Sequence, residues 1–320
     1  MTGHSRPPAA SASSGTSARG ILVSVGSSVC FGLIYFLTPL LAPMSGEEIV
    51  AIRIVVSVPF VAVVLVTMRS WHLALEVASR IRQRPMLLLG VLASGALLTV
   101  QLWLFSWAPL NGHGLQVALG YFLLPLVLVV LGRFLYQDRM VWWQWLAAGI
   151  AAAGVGYEIV RVGGVSWETL LVAFGYPAYF VLRRSMRTGH LGGMLWELTM
   201  VLPLAAVVVV WSMVDGAVYA ANPSLWWAAP GISLFAAFAL LLYLLASRLL
   251  SLSLFGLLSY LEPALLLVAS LLIGERIAPG EWFTYGAIWA AVLVLVAGGL
   301  ASLSGGPLRR NPSRRGPVRD

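Results

Sequence analysis

The stretch DRMVWWQWLAAG, residues 138–149, returns in the second half of the chain as ERIAPGEWFTYG, residues 275–286. Asp138 matches Glu275, Arg139 matches Arg276, Trp145 matches Trp282 and Gly149 matches Gly286, all at one constant offset. With a one-residue shift Pro125 matches Pro263, and AIRIVVSVP at 51–59 aligns with LWELTMVLP at 195–203. That alignment sets Arg53 against Glu197 and Pro59 against Pro203. A repeat on this scale decides architecture before any single residue does.

What repeats is hydrocarbon. Of 320 residues, 60% are hydrophobic and 10% charged, against roughly 25% charged in a soluble domain. The apolar runs reach about 18 to 24 residues, the length an α-helix needs to cross a bilayer, and several have no polar face. The reading is an all-α polytopic membrane protein. Ten transmembrane helices are expected, near 20–41, 47–68, 86–107, 114–136, 141–161, 165–184, 191–212, 224–247, 252–273 and 282–303. Each half then holds five. Because five is odd, the second half enters the membrane upside down, giving two inverted five-helix repeats, 20–161 and 162–303, between polar tails 1–19 and 304–320. Such repeats place substrate sites at their interface near the midplane and let one fold open to either side.

All 20 basic residues are Arg. With a cytoplasmic N-terminus, only Arg161 and Arg276 fall outside and Arg53 falls within a span; the others lie inside. The positive-inside rule therefore puts both termini of this multi-pass protein in the cytoplasm. The net charge of +8 becomes a topology signal, and no nucleic-acid partner is expected. The single Cys30 cannot form an intrachain disulfide or a metal cluster.

Charges inside hydrocarbon cost about 2.5 to 3.5 kcal/mol each at a helix centre, so they mark function or pairing. Arg53, Glu158, Glu197 and Glu262 qualify. Glu158 reads as an interfacial ion pair with Arg161, one turn on. Arg53 and Glu197 occupy equivalent repeat positions, so they are expected across the central cavity from each other. Arg53 would meet an anionic group of the substrate and Glu197 a proton or cationic group; a buried bridge locking the halves is the alternative. Glu262 stands before Pro263, whose missing donor loosens a helix. Flanked by Tyr260, it is either a protonatable site or a bond to a neighbouring helix.

The segment APLNGHGLQVALGYFLLP, residues 108–125, is the other polar island. Asn111 reads as a cap for the helix that begins there. His113, Gln116 and Gly120 share one face, and with Tyr121 and Gln101 they are expected to line a pathway; Trp107 reads as an interface anchor. Gly120, Pro125 and Pro263 are the expected helix breaks or hinges.

The chain resembles the RarD family of permeases, in the EamA group of the drug/metabolite transporter superfamily. The residues carrying it are EEIVAIRIVVS at 47–57, LWLFSWAPLNGHGLQVALGYFLLPLVLVVLG at 102–132 and LFGLLSYLEPALLLVASLLIGER at 254–276. The resemblance covers about residues 20 to 300 and implies a ten-helix inner-membrane carrier. The chain departs from the family pattern at Tyr35, at Ile52 and at Tyr176-Pro177.

There is no His-Glu-x-x-His, Walker-type or Gly-x-Ser-x-Gly motif, so no enzyme, metal or nucleotide cofactor is expected. Secondary transport of a small polar or amphipathic organic solute is the reading, with proton coupling and a homodimer left open. The rivals are a sensor or assembly factor that kept the fold, and an intramembrane enzyme acting on lipid.

Overall fold

A computed structural model describes residues 13–136, 141–162, 164–250, 255 and 258–304. Asp138 and Arg139 of the repeated motif, and the tail residues 1–12 and 305–320, lie outside the described residues. The described chain contains helices and turns and no strand. In order these are α1 (Ser13–Leu37), a 3-10 turn (Thr38–Leu41), α2 (Gly46–Thr67), α3 (His72–Gln83), α4 (Met86–Asn111), α5 (Gly114–Tyr136) and α6 (Trp142–Val162). There follow α7 (Trp167–Met186), α8 (Leu191–Asp215), the short α9 (Ala217–Ala221), α10 (Leu225–Leu249), α11 (Leu261–Ile273), a second 3-10 turn (Pro279–Glu281) and α12 (Trp282–Ser304). Helix α1 starts at Ser13, within the stretch read as a tail.

Among the described residues six stretches are long and apolar enough to cross a membrane: Ala18–Leu41, Gly46–Thr67, Met86–Asn111, Leu191–Asp215, Leu225–Ser247 and Pro279–Gly298. Gly114–Leu128 and Leu261–Ile273 are shorter apolar helices. This is the composition of a polytopic membrane protein, because only helices satisfy every backbone group within hydrocarbon. Helix α7, which carries Glu168, Arg183 and Arg184 and several Tyr, Gly and Pro residues, is not among these stretches.

The packing has a regular pattern. Helix α1 lies against α10 and α11, while α7 lies against α4 and α5; α2 touches α10, while α8 touches α4. Three further pairs, α2 with α8, α5 with α11 and α6 with α12, join these, and α2 also touches α4 while α3 touches α8. Glycines set the closest approaches. A Cβ on Gly120 would stand 2.7 Å from Val172 Cβ and 2.8 Å from the Thr169 carbonyl oxygen, and one on Gly95 would stand 2.8 Å from the Glu197 carbonyl oxygen. The Thr169 hydroxyl donates to the Gln116 carbonyl at 2.8 Å across the α5–α7 contact. Gly120 is therefore a packing residue. Helix α5 runs unbroken through it and through Pro125, because one missing N–H is tolerated where neighbours pack around the helix. The expected break at Pro263 falls earlier, at a turn over Ser259 and Tyr260, leaving Pro263 in the first turn of α11, where its missing donor costs nothing.

The bundle has two chemically distinct ends. At one, Arg80 donates to the carbonyls of Met186 (2.5 Å) and Arg187 (3.3 Å), and the Trp196 indole donates to Ala74 (2.9 Å). At the other, Glu48 closes a capping box with Ser45, Ser212 donates to Glu48, and Asn222 donates to the Ala42 carbonyl. Arg69, Arg82, Arg84 and Arg187 belong to the first, basic end; Glu47, Glu168, Asp215 and Glu275 belong to the second, acidic end.

Two predictions follow from these contacts. Gly120→Val overpacks the α5–α7 seam and costs about 1–3 kcal/mol, read as a lower thermal midpoint. At the basic end, the His190 ring nitrogen Nδ1 accepts from the Gly193 N–H at 3.3 Å and caps α8. Burial holds its pKa below the usual histidine value. The folded state then binds the proton less readily than the unfolded chain, so stability falls as pH drops below about 6.5. His190→Asn, a good cap, removes that pH slope, whereas His190→Ala costs about 1 kcal/mol at neutral pH.

Candidate functional site

A central cavity of about 410 Å³ lies among α1, α2, α4, α5, α7, α8, α10 and the turn before α11. Its walls are apolar and aromatic: Phe31, Phe105, Tyr121, Tyr176, Tyr179 and Tyr243 all line it. Arg53, Arg183 and Glu262 are its charged lining residues. On α5, α7 and α10 the lining falls at residues 121–128, 176–183 and 236–244, toward the basic end. On α2 and α4 it falls near Arg53 and Phe105, deeper in the bundle.

Arg53 is 5% exposed, and its Nε and Nη2 find no acceptor among the described residues. Its Cζ lies 5.6 Å from the centroid of the Phe105 ring. That cation–π contact is worth about 2 kcal/mol when desolvated. A buried ion left without a partner costs several kcal/mol, so the ring offsets only part of it. Phe105 also packs edge-on against Tyr35 (5.0 Å) and Tyr121 (6.3 Å). Tyr121 and Tyr176 join their hydroxyls at 3.0 Å on the same wall. Glu262 faces the cavity and makes no ion pair among the described residues.

Glu197 is placed differently from the sequence expectation. It is fully buried, does not line the cavity and does not meet Arg53. Its Oε1 lies 3.2 Å from Arg183 Nε, Ser94 donates to the same oxygen at 2.8 Å, and Tyr179 donates to Oε2 at 3.0 Å. Arg183 is in turn bound to the Tyr179 hydroxyl (2.9 Å) and to the carbonyls of Thr188 (2.8 Å) and His190 (3.0 Å). This closed network ties α4, α7, α8 and the α7–α8 turn together. Sequence reading counted Arg183, at the end of the span 165–184, only as a cytoplasmic-side charge; its signal was Tyr179 four residues earlier, on the same helical face.

The polar island around Asn111 divides into separate jobs. Asn111 ends α4, and its amide donates back to the Trp107 carbonyl at 2.8 Å. It does not cap α5. The first donors of α5, the N–H groups of Gly114 and Leu115, go to Glu275 at 2.7 and 2.8 Å, across 161 and 160 residues of chain. Burial raises the Glu275 pKa from its ordinary value, and the two N–H donors oppose that shift. A side chain at position 114 would collide with Glu275, Ser270 and Tyr35, so glycine is required there. His113 pairs with Glu168 at 2.8 Å and stacks on Trp107, which also stacks on Trp103. The Trp103 indole donates to Glu47 at 2.9 Å. This cluster seals the acidic end.

Of the expected site residues, Arg53, Tyr121, Glu262, Pro125 and Pro263 meet at the cavity. Gln101 donates to the Leu171 carbonyl at 2.8 Å, behind the wall. Gln116 joins the α5–α7 seam, Tyr260 is buried outside the cavity lining, and His113 belongs to the acidic-end cluster. Glu158 and Arg161 form the expected pair, at 2.5 Å. Among the described residues no three of His, Cys, Asp and Glu could hold a metal ion.

No family model matches the chain. An uncharacterized transporter of Pasteurella multocida is 39% identical over 259 residues, covering 81% of this chain and 89% of that protein. The chloramphenicol-sensitive protein RarD of Pseudomonas aeruginosa is 38% identical over 301 residues, covering 94% and 99%. An uncharacterized transporter of Haemophilus influenzae is 35% identical, covering 88% and 94%. One solved structure aligns with 89% of this chain and 99% of its own at 15% identity and a TM-score of 0.47, a likeness that carries no weight for function.

Removing the Glu197 carboxylate strands Arg183. Glu197→Ala is expected to cost about 3–5 kcal/mol, measured by thermal unfolding of the purified protein. Glu197→Gln keeps the Ser94 and Tyr179 contacts and costs less.

Proposed function

The chain belongs to the RarD family of transporters, and on that premise we propose that it carries a small amphipathic organic solute with an anionic group, by alternating access of the central cavity. The observation that carries this reading is Arg53. Evolution of a stable core would pair or delete a buried guanidinium with two unbonded nitrogens. A substrate oxyanion supplies the missing acceptors, and charge-assisted bonds of this kind are about twice as strong as neutral ones. Phe31, Phe105 and the tyrosines receive the apolar part of the solute. Glu262, on the same cavity and without a cation, is the group we assign to proton exchange with the solute site.

The proposed frame is ten membrane helices in two inverted repeats, residues 20–161 and 162–303. The packing supports it. Exchanging α1, α2, α4, α5 and α6 with α7, α8, α10, α11 and α12 turns α1–α10 into α7–α4, α1–α11 into α7–α5, and α2–α10 into α8–α4. The pairs α2–α8, α5–α11 and α6–α12 map onto themselves. The basic end is assigned to the cytoplasm by the positive-inside rule. The cavity lining extends toward that end while Glu275, Tyr35 and the tryptophans pack the other. We therefore assign this conformation to the inward-facing state.

The test exploits the difference between a structural and a binding arginine. Arg53→Met removes an unpaired buried charge, so it is expected to raise the thermal midpoint while abolishing transport. A binding solute at 100 times its dissociation constant stabilises wild type by about 2.7 kcal/mol. Amphipathic carboxylates should give that shift with wild type and none with Arg53→Met, and their neutral amides should give none with either. A loss of stability in Arg53→Met, or equal shifts from acid and amide, would overturn the assignment.

A further inference from the structure

Helix α3 is not part of the transmembrane frame. It joins α2 to α4 at the basic end and divides into three faces. Ala74 and Val77 are buried, and Ala74 accepts from Trp196 of α8. His72, Glu76, Ser79 and Gln83 recur at helical spacing and make a polar face. Between these two, Trp71 and Leu75 are 40% and 59% exposed, and Arg82 follows on the same face. The flanking ends of α2 and α4 expose Val66, Met68, Met86 and Leu89 at 60%, 41%, 78% and 59%. An apolar edge with a tryptophan, bordered by arginines, is the pattern of a helix lying in the membrane interface.

Backbone strain marks the same place. Among the described residues only two non-glycines have positive φ: Arg69 at 51° and Arg187 at 55°. Both close helices. After α2, Ser70 N–H bonds to the Leu65 carbonyl at 2.8 Å and Arg69 N–H to the Val66 carbonyl at 3.0 Å. That is a helix end at which glycine is the relaxed choice. After α7, Arg187 N–H bonds to the carbonyls of Arg183 and Arg184. The chain holds arginine twice where glycine would be unstrained, and such outliers point toward function. Arg187 stands beside α3, since its carbonyl accepts from Arg80. Arg69, Arg82, Arg84 and Arg187 form no ion pair among the described residues.

We propose that this edge binds anionic phospholipid of the leaflet at the basic end, with Trp71 and Leu75 against the acyl region and Arg69, Arg82, Arg84 and Arg187 on the headgroup phosphates. Each arginine near an anionic surface adds attraction that falls off within a Debye length. The occupant is set by charge and by the continuous apolar edge; a soluble anion would use only the arginines.

The test is the thermal midpoint of the full chain in phosphatidylcholine vesicles with and without phosphatidylglycerol. Wild type is expected to gain stability from phosphatidylglycerol. Arg69→Gly/Arg187→Gly relaxes both strained positions, so its midpoint in phosphatidylcholine should equal or exceed wild type while most of the phosphatidylglycerol shift is lost. Arg82→Gln/Arg84→Gln should lose the shift without touching the backbone. If the arginines served only the helix dipoles, the glycine variant would lose stability equally in both lipids, and the proposal would fail. It also fails if all variants keep the wild-type shift, or if glycerol phosphate in solution reproduces it.

Discussion

Hydrocarbon does not forgive an unpaired charge, and the fold is organised around meeting that cost. Glu197 shows how it is met. A carboxylate with no exposed surface is held by Ser94 of α4 and by Tyr179 and Arg183 of α7. Because the Arg183 guanidinium also binds two carbonyls of the α7–α8 turn, the same charges that had to be neutralised also fix where α4, α7 and α8 sit. Arg53 shows the exception. Its guanidinium lies against the face of Phe105 and keeps two nitrogens without an acceptor among the described residues, at the wall of the central cavity.

Close helix contact is the second condition, and it comes from residues without side chains. Without water to drive helices together, packing and interhelical bonds must do it. Gly95 and Gly120 let α4 meet α8 and α5 meet α7 at distances a methyl group would forbid. Gly114 lets Glu275 reach the start of α5. That contact replaces a local cap with one supplied by the α11–α12 turn, so the end of one half of the chain is secured by the other half.

Stability and binding therefore make opposite demands at two neighbouring arginines. Arg183 faces Glu197 and binds Tyr179 and two turn carbonyls, whereas Arg53 keeps two buried nitrogens without an acceptor among the described residues. The interfacial helix α3 extends the same logic to the membrane surface, where Arg69 and Arg187 accept backbone strain in exchange for charge placed at the headgroups.

Much of this was legible in residue order alone. Helical membrane character follows from run length and the scarcity of charge, since bilayer thickness and backbone hydrogen bonding leave no other spanning structure for such runs. Arg53, Tyr121 and Glu262 stood out for the same reason: polar groups at that depth need a purpose. The partners of those groups were not legible. Equivalence in the repeat suggested Arg53 opposite Glu197, yet Arg183, read only as a cytoplasmic-side charge at the end of its span, took Glu197 instead. Local spacing suggested Asn111 as the cap of α5, yet a carboxylate 161 residues away holds that position. Sequence determines which groups the bilayer will not tolerate alone, because transfer cost depends on residue type and depth. Tertiary structure decides which group answers each of them, because a hydrogen bond depends on ångström-scale distances between helices that no spacing along the chain encodes.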